Sequence, residues 1–248
     1  MSSASSTKRG ITSLQRYTWP FTILVALGGL WFPWLGLLVL PIMLTLIVMS
    51  FMRGRFWCGN ICSHGSLFDY VLGRVSKNRN IPGFLKSPLF VSAFFAFFGY
   101  NMTRRLLVVA RLWGTIQFWE RLGFIFVAAY LMVFVVGGAL AVVIRPRTWC
   151  SFCPMGTVEK LSYKLGKLSG VANRIDLKVT VSNRELCKLC GKCAKVCPME
   201  LTPYKNFSTS NQFDNENCIR CGKCVEACPF DLLSISNSSS VSEGARVA

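Results

Sequence analysis

Cys187-Lys188-Leu189-Cys190-Gly191-Lys192-Cys193-Ala194-Lys195-Val196-Cys197-Pro198 is the stretch on which the reading of this chain turns. A second run, Cys218-Ile219-Arg220-Cys221-Gly222-Lys223-Cys224-Val225-Glu226-Ala227-Cys228-Pro229, repeats it 31 positions later. Both read C-x-x-C-x-x-C-x-x-x-C-P. Disulfide frameworks belong to short secreted chains, and this one is neither short nor polar. A zinc site closes with four ligands and has no need of the Cys-Pro ending.

The run resembles that of bacterial two-cluster ferredoxins, in which three thiolates grip one [4Fe–4S] cubane and the fourth reaches the other. The expected ligands of one cluster are therefore Cys187, Cys190, Cys193 and Cys228. The other takes Cys218, Cys221, Cys224 and Cys197. A small α+β domain over residues 171–236 should carry both, followed by a disordered tail at 237–248.

Composition bounds the rest. The chain has 248 residues, of which 52% are hydrophobic and only 16% charged, a low share for a water-soluble domain. The formal net charge is nevertheless +17. The basic residues flank apolar runs, which is the pattern of membrane topology and not of nucleic-acid binding. Twelve cysteines in metal-ligand spacings imply a reducing compartment for the ferredoxin half. One histidine, His64, cannot form a bis-histidine haem site, so no haem is expected. No glycine-rich dinucleotide or phosphate loop is present.

Apolar runs at residues 14–31, 33–52, 88–103 and 122–144 predict a helical membrane domain over 14–170, about four spans arranged as two hairpins. Gly28-Gly29 and Pro33 break the first run from the second. Residues 104–121 are expected to form an outer loop or an interfacial helix. A Ser-rich cytoplasmic tail, 1–13, precedes the spans. Arg53, Arg55, Arg74, Lys77, Lys86, Arg145 and Arg147 fall on one side, and Arg104, Arg105, Arg111 and Arg121 on the other. That asymmetry places both termini and the ferredoxin domain in the cytoplasm.

A second repeat lies inside this half. Arg55-Phe56-Trp57-Cys58 and Arg147-Thr148-Trp149-Cys150 open two motifs that close on Cys62-Ser63-His64-Gly65 and Cys153-Pro154-Met155-Gly156. Each follows an apolar hairpin and precedes an amphipathic stretch. Val158, Leu161, Leu165 and Leu168 mark one face of the second stretch, as in a helix lying on a membrane surface. Packing of the two units about a pseudo-twofold axis would gather Cys58, Cys62, Cys150 and Cys153. Four thiolates could hold a third [4Fe–4S] cluster or a zinc or copper ion, cycle as two dithiols, or pack as small apolar groups. His64 and Met155 stand beside them as further donors or as ordinary packed residues.

The order of spans, short cysteine motifs and ferredoxin runs resembles the NapH/NosR-type membrane ferredoxins. There the short motif reads C-x-x-x-C-P. Here Ser63 replaces the proline of the first motif, and the second keeps Pro154 but loses one residue. The resemblance implies an electron-transfer subunit of a prokaryotic cytoplasmic-membrane oxidoreductase complex, relaying electrons between the quinone pool and a redox protein. The alternative is a metalloreductase or maturation factor for a respiratory metalloenzyme that acts through the four membrane-side cysteines. Lys188, Lys192, Arg220 and Lys223, inside the cluster loops, are expected to attract an acidic partner.

Overall fold

A computed structural model describes residues 13–208 and 211–237. The expected tails at 1–13 and 237–248 lie almost wholly outside the described residues. The chain begins as short helical segments, Ser13–Tyr17, Trp19–Ile23 and Leu24–Gly28, and turns at the Gly28-Gly29 pair. Pro33, with its fixed φ, then starts a 3-10 turn that runs into the Val39–Arg53 helix.

Among the described residues, two helices are long and apolar enough to cross a bilayer. They are Pro33–Arg53, with 21 residues, and Ile116–Val143, with 28. At 1.5 Å per residue the shorter spans about 32 Å, against a hydrocarbon core of about 30 Å. Only 22% and 33% of their apolar windows are buried, whereas the core helix of a soluble protein is mostly covered. Leu44, Val48 and Val135 point outward. The expected spans at 14–31 and 88–103 do not meet this standard. The first is divided into short segments. The second lies in the Pro88–Ala110 helix, which continues through Arg104 and Arg105 to a turn near Gly114. The expected loop therefore starts later than the sequence suggested, because residues 104–110 hold good helix formers and no breaker.

Glycines bring the two halves together. A Cβ on Gly36 would stand 2.0 Å from the Gly123 carbonyl oxygen, and one on Gly123 would stand 2.2 Å from that of Pro33. The backbones touch, as small residues allow in helix pairs. Gly166 of the Pro154–Leu168 helix meets the Phe51 carbonyl in the same way. That helix buries Gly156, Glu159, Tyr163 and Gly166 against the rest of the protein and leaves Leu161, Leu165 and Leu168 exposed.

Beyond residue 176, β1 (Lys178–Val181) pairs antiparallel with β2 (Leu233–Ser236), Val179 opposite Ile235. Val179, Val181, Phe207, Phe213 and Leu233 form a small core. The two cysteine runs have the same backbone. Left-handed φ values occur at Leu189, Gly191 and Glu200, and again at Arg220, Gly222 and Asp231, each pair 31 positions apart. A one-turn helix follows each glycine, Lys192–Lys195 and Lys223–Glu226.

Candidate iron–sulfur sites

Folding each run back on itself brings distant cysteines together. Cys187, Cys190, Cys193 and Cys228 line one small hollow, with Tyr204, Phe207 and Phe230 as walls. Cys197, Cys218, Cys221 and Cys224 line a second, walled by Met199, Leu201 and Phe213. Cys197 and Cys228 have thus crossed to the opposite run. The Leu201 amide donates to Cys197 Sγ at 3.4 Å. Burial pushes the Cys218 thiol up to about 11. Any metal entering this hollow must displace a proton there.

Cys58, Cys62, Cys150 and Cys153 share a third cavity, of about 480 Å³. Each short motif places its cysteines alike. The first cysteine is buried, and the second stands immediately before a helix in extended backbone, Cys62 with φ −52° and ψ 120°, Cys153 with φ −55° and ψ 129°. Burial, followed by the neighbouring Cys150, raises Cys62 to about 12 and Cys153 to about 11, while the amides of Gly65 and Gly156 oppose the rise.

Two buried arginines strap the motifs to each other. Arg55 donates to the Cys150 carbonyl at 2.8 Å, and Arg147 donates to the Cys58 carbonyl at 2.7 Å. Each also points at the first sulfur of its own motif, Arg55 at Cys58 (3.8 Å) and Arg147 at Cys150 (3.7 Å). Each lies where a side chain on the other motif's glycine would stand. A Cβ on Gly156 would meet Arg55 at 2.7 Å, and one on Gly65 would meet Arg147 at 2.3 Å. Arg147 is held by a two-pronged pair with Asp69 at 3.1 and 3.0 Å. Arg55 faces Glu159 at 3.6 Å, and Glu159 accepts the Cys58 thiol hydrogen at 2.8 Å. Arg55 Nε and Nη1 have no hydrogen-bond partner. Buried donors left over beside four cysteines suit an anionic occupant, and a thiolate-ligated cluster is one.

The ferredoxin half sits directly on this site. Cys58 and Cys150 share one buried cluster with Met199 and Ile219, against which Cys197 and Cys221 pack. Gly59 lies against the Ile219 carbonyl, where a Cβ would be only 1.9 Å away. Arg220 reaches Asp176 at 2.7 Å, and Lys223 reaches Asp69 at 3.2 Å. Glu200 accepts from Arg145 at 2.8 Å, from the Ile81 amide at 3.1 Å, and from Lys86.

Residues 35–82 and 126–171 match the model of a 4Fe-4S binding domain, and residues 180–229 match that of a 4Fe-4S dicluster domain. This is an iron–sulfur protein. Its 4Fe-4S domains point to electron transfer. The first model matches twice within the N-terminal part, at residues 35–82 and 126–171, each time around one short cysteine motif. No curated protein and no solved structure matches the chain.

Among the described residues, no group of three or more His, Cys, Asp or Glu side chains is drawn together tightly enough for a single metal ion. A cubane, with iron at its corners, sets its thiolates farther apart than one tetrahedral ion does.

Several charged residues do other work than the sequence suggested. Arg55 and Arg147, counted as topology signals, are buried within the site. Arg220 is buried on Asp176, and Lys223 is committed to Asp69, so neither is free to attract a partner. Asp69 and Glu159 were not singled out at all. The signal for the arginines was available, since R-x-W-C opens both motifs. Nothing local marks Glu159.

Proposed function

We propose that the chain is a membrane-embedded iron–sulfur relay, with three centres in line. The innermost is held by Cys58, Cys62, Cys150 and Cys153, the middle by Cys197, Cys218, Cys221 and Cys224, and the outermost by Cys187, Cys190, Cys193 and Cys228. One observation carries the reading: Cys58 and Cys150 pack in the same buried cluster as Cys197 and Cys221, so the membrane-side site and the middle site share a wall. When bound, such clusters supply one-electron chemistry. The protein's part is to hold them dry, close and in order. Arg55 and Arg147 offset negative charge at the inner site, and the Leu201 amide supplies a hydrogen bond to sulfur at the middle one.

The outward-facing leucines and valines of the two long helices favour a bilayer around them. Pro88–Ala110 and the segments before Gly28 would complete four spans, with the ferredoxin half on the cytoplasmic face. Electrons from a lipid-soluble quinone carrier would enter at the inner centre. They would leave through Cys190, the one exposed cysteine, to a redox protein.

Iron and acid-labile sulfide per chain, measured on anaerobically purified protein, test the reading. We expect about twelve irons, falling to about eight in the Cys58→Ser, Cys150→Ser double variant. About eight in both would remove the inner centre from the relay.

A further inference from the structure

Far from the cysteines, three arginines share one groove. Arg104 and Arg105 come from the Pro88–Ala110 helix, and Arg121 comes from the Ile116–Met132 helix. The groove holds about 700 Å³, more than a phosphate group fills. Its one carboxylate is Glu120. Among the described residues, none of the three arginines lies in an ion pair, so the groove keeps an excess of positive charge. The excess stands at the end of the helices that the positive-inside rule leaves poor in cations.

Its depth follows from the helices. Pro33 is part of the wall and begins the Pro33–Arg53 helix, whose other end leads into Arg55 and Cys58. Those 21 residues put about 30 Å between the groove and the first cysteine motif, the thickness of a hydrocarbon core. The groove thus sits at the far headgroup level. Tryptophan gathers at that level. Trp31 and Trp34 flank Pro33, Trp113 lies in the turn between the two helices, and Trp119 precedes Glu120; all four are exposed. Val108 and Phe124 line the groove beside the arginines and are half-exposed, so its wall is apolar as well as basic.

We propose that this groove binds one anionic phospholipid, its phosphodiester held by the arginines of both helices and its upper acyl chains lying on Val108 and Phe124. A guanidinium fork donates two charge-assisted hydrogen bonds to a phosphate at once. A glycerol headgroup adds hydroxyls that donate to Glu120. A choline headgroup has no hydrogen to give and would set its own cation among the arginines. A soluble phosphate would meet the same guanidiniums but leave the apolar wall bare, so the lipid is the occupant that matches both. The proposal rests on the membrane-embedded part of the reading above and not on the electron relay.

Native mass spectrometry of the detergent-solubilised holoprotein tests this by counting lipids bound per chain. The titrants are dioleoyl-phosphatidylglycerol, dioleoyl-phosphatidylcholine and soluble glycerol 3-phosphate. The first phosphatidylglycerol should bind about tenfold or more above phosphatidylcholine, and glycerol 3-phosphate should not bind over the same range. Each arginine near an anionic headgroup is worth about fivefold, so Arg104→Gln with Arg121→Gln should weaken phosphatidylglycerol about twentyfold. Val108→Trp, which narrows the groove and leaves every arginine in place, should weaken it too. Arg111→Gln, at the same end of the helices but outside the groove, should leave it unchanged. Equal affinity for the two lipids, or a loss in Arg111→Gln as large as in the groove variant, would overturn the site. Glycerol 3-phosphate binding as tightly as phosphatidylglycerol would make the groove a soluble-anion site and overturn the lipid. Holoprotein that stays monodisperse without detergent and binds neither lipid would sink the membrane reading instead.

Discussion

At Gly59 one methyl group decides whether the two halves of the molecule fit. Its Cβ would lie 1.9 Å from the Ile219 carbonyl oxygen, and backbone cannot step aside as a side-chain tip can. Gly59→Ala should cost about 1–3 kcal/mol, seen as earlier release of the ferredoxin half in limited proteolysis. Gly99→Ala is the control. Nothing lies within 4 Å of its Cβ, and in a helix interior the change should be neutral or stabilising by up to about 1 kcal/mol. The arginine straps differ in the same way from ordinary surface charge. Arg147→Met leaves Asp69 buried with one cation fewer. Removing one partner of a buried pair costs about 3–5 kcal/mol, and Lys223 should hold the loss near the lower figure. The readout is the temperature at which cluster absorbance is lost. The cysteines were legible in the sequence because spacing is a one-dimensional property. The roles of Arg55 and Arg147 were not, since a basic residue beside an apolar run looks the same whether it faces lipid headgroups or a buried sulfur.

At the scale of elements, the ferredoxin half is fastened to the N-terminal helical half by carboxylates in basic company. Burial pushes the Asp69 carboxyl up, but Arg147 and Lys223 outweigh it and hold the group below its ordinary 3.8. Glu200 is likewise held below 4.5, burial again opposing, by Lys86, the Ile81 amide and Arg145. A depressed carboxyl stabilises in full above its ordinary value and loses that contribution as pH falls through the lowered one. Docking should therefore hold at neutral pH and begin to weaken only once pH falls below the ordinary values of these carboxyls, failing as it passes the lowered ones. Lys223→Ala, compared with wild type at equal cluster content, should move the proteolytic midpoint upward, and an unmoved midpoint would count against this clamp. Helix positions followed from the sequence where glycine and proline punctuate it, as at Gly28-Gly29 and Pro33. The long helix through Arg104 and Arg105 did not, because charge on a helix end and charge in a loop read alike. The division of the first apolar run into short segments was likewise hidden, hydrophobicity being blind to where the backbone bends.

Across the whole molecule, the outermost site faces solvent among Leu186, Leu189 and Phe230, with Lys188, Lys192 and Lys195 also exposed. Lys188 lies over the Phe230 ring at 5.2 Å. Replacing the three lysines by glutamate should slow electron exchange with an acidic flavodoxin used as probe at low salt. It should also abolish the salt dependence that the parent shows. The duplicated architecture could be read from the repeats before any coordinates. The stacking of one duplication on the other could not, because it depends on Gly59 and Ile219, which belong to different repeats and carry no mark of each other. The exposure of Cys190, with every other cysteine wholly or partly covered, has a consequence for life in air. On the proposed relay, oxygen would corrode the assembly from the solvent end inward, so damaged molecules would first lose the outermost centre, the proposed exit for electrons. A cell could then meet a pulse of oxygen with a circuit that is open at the outlet and intact at its source.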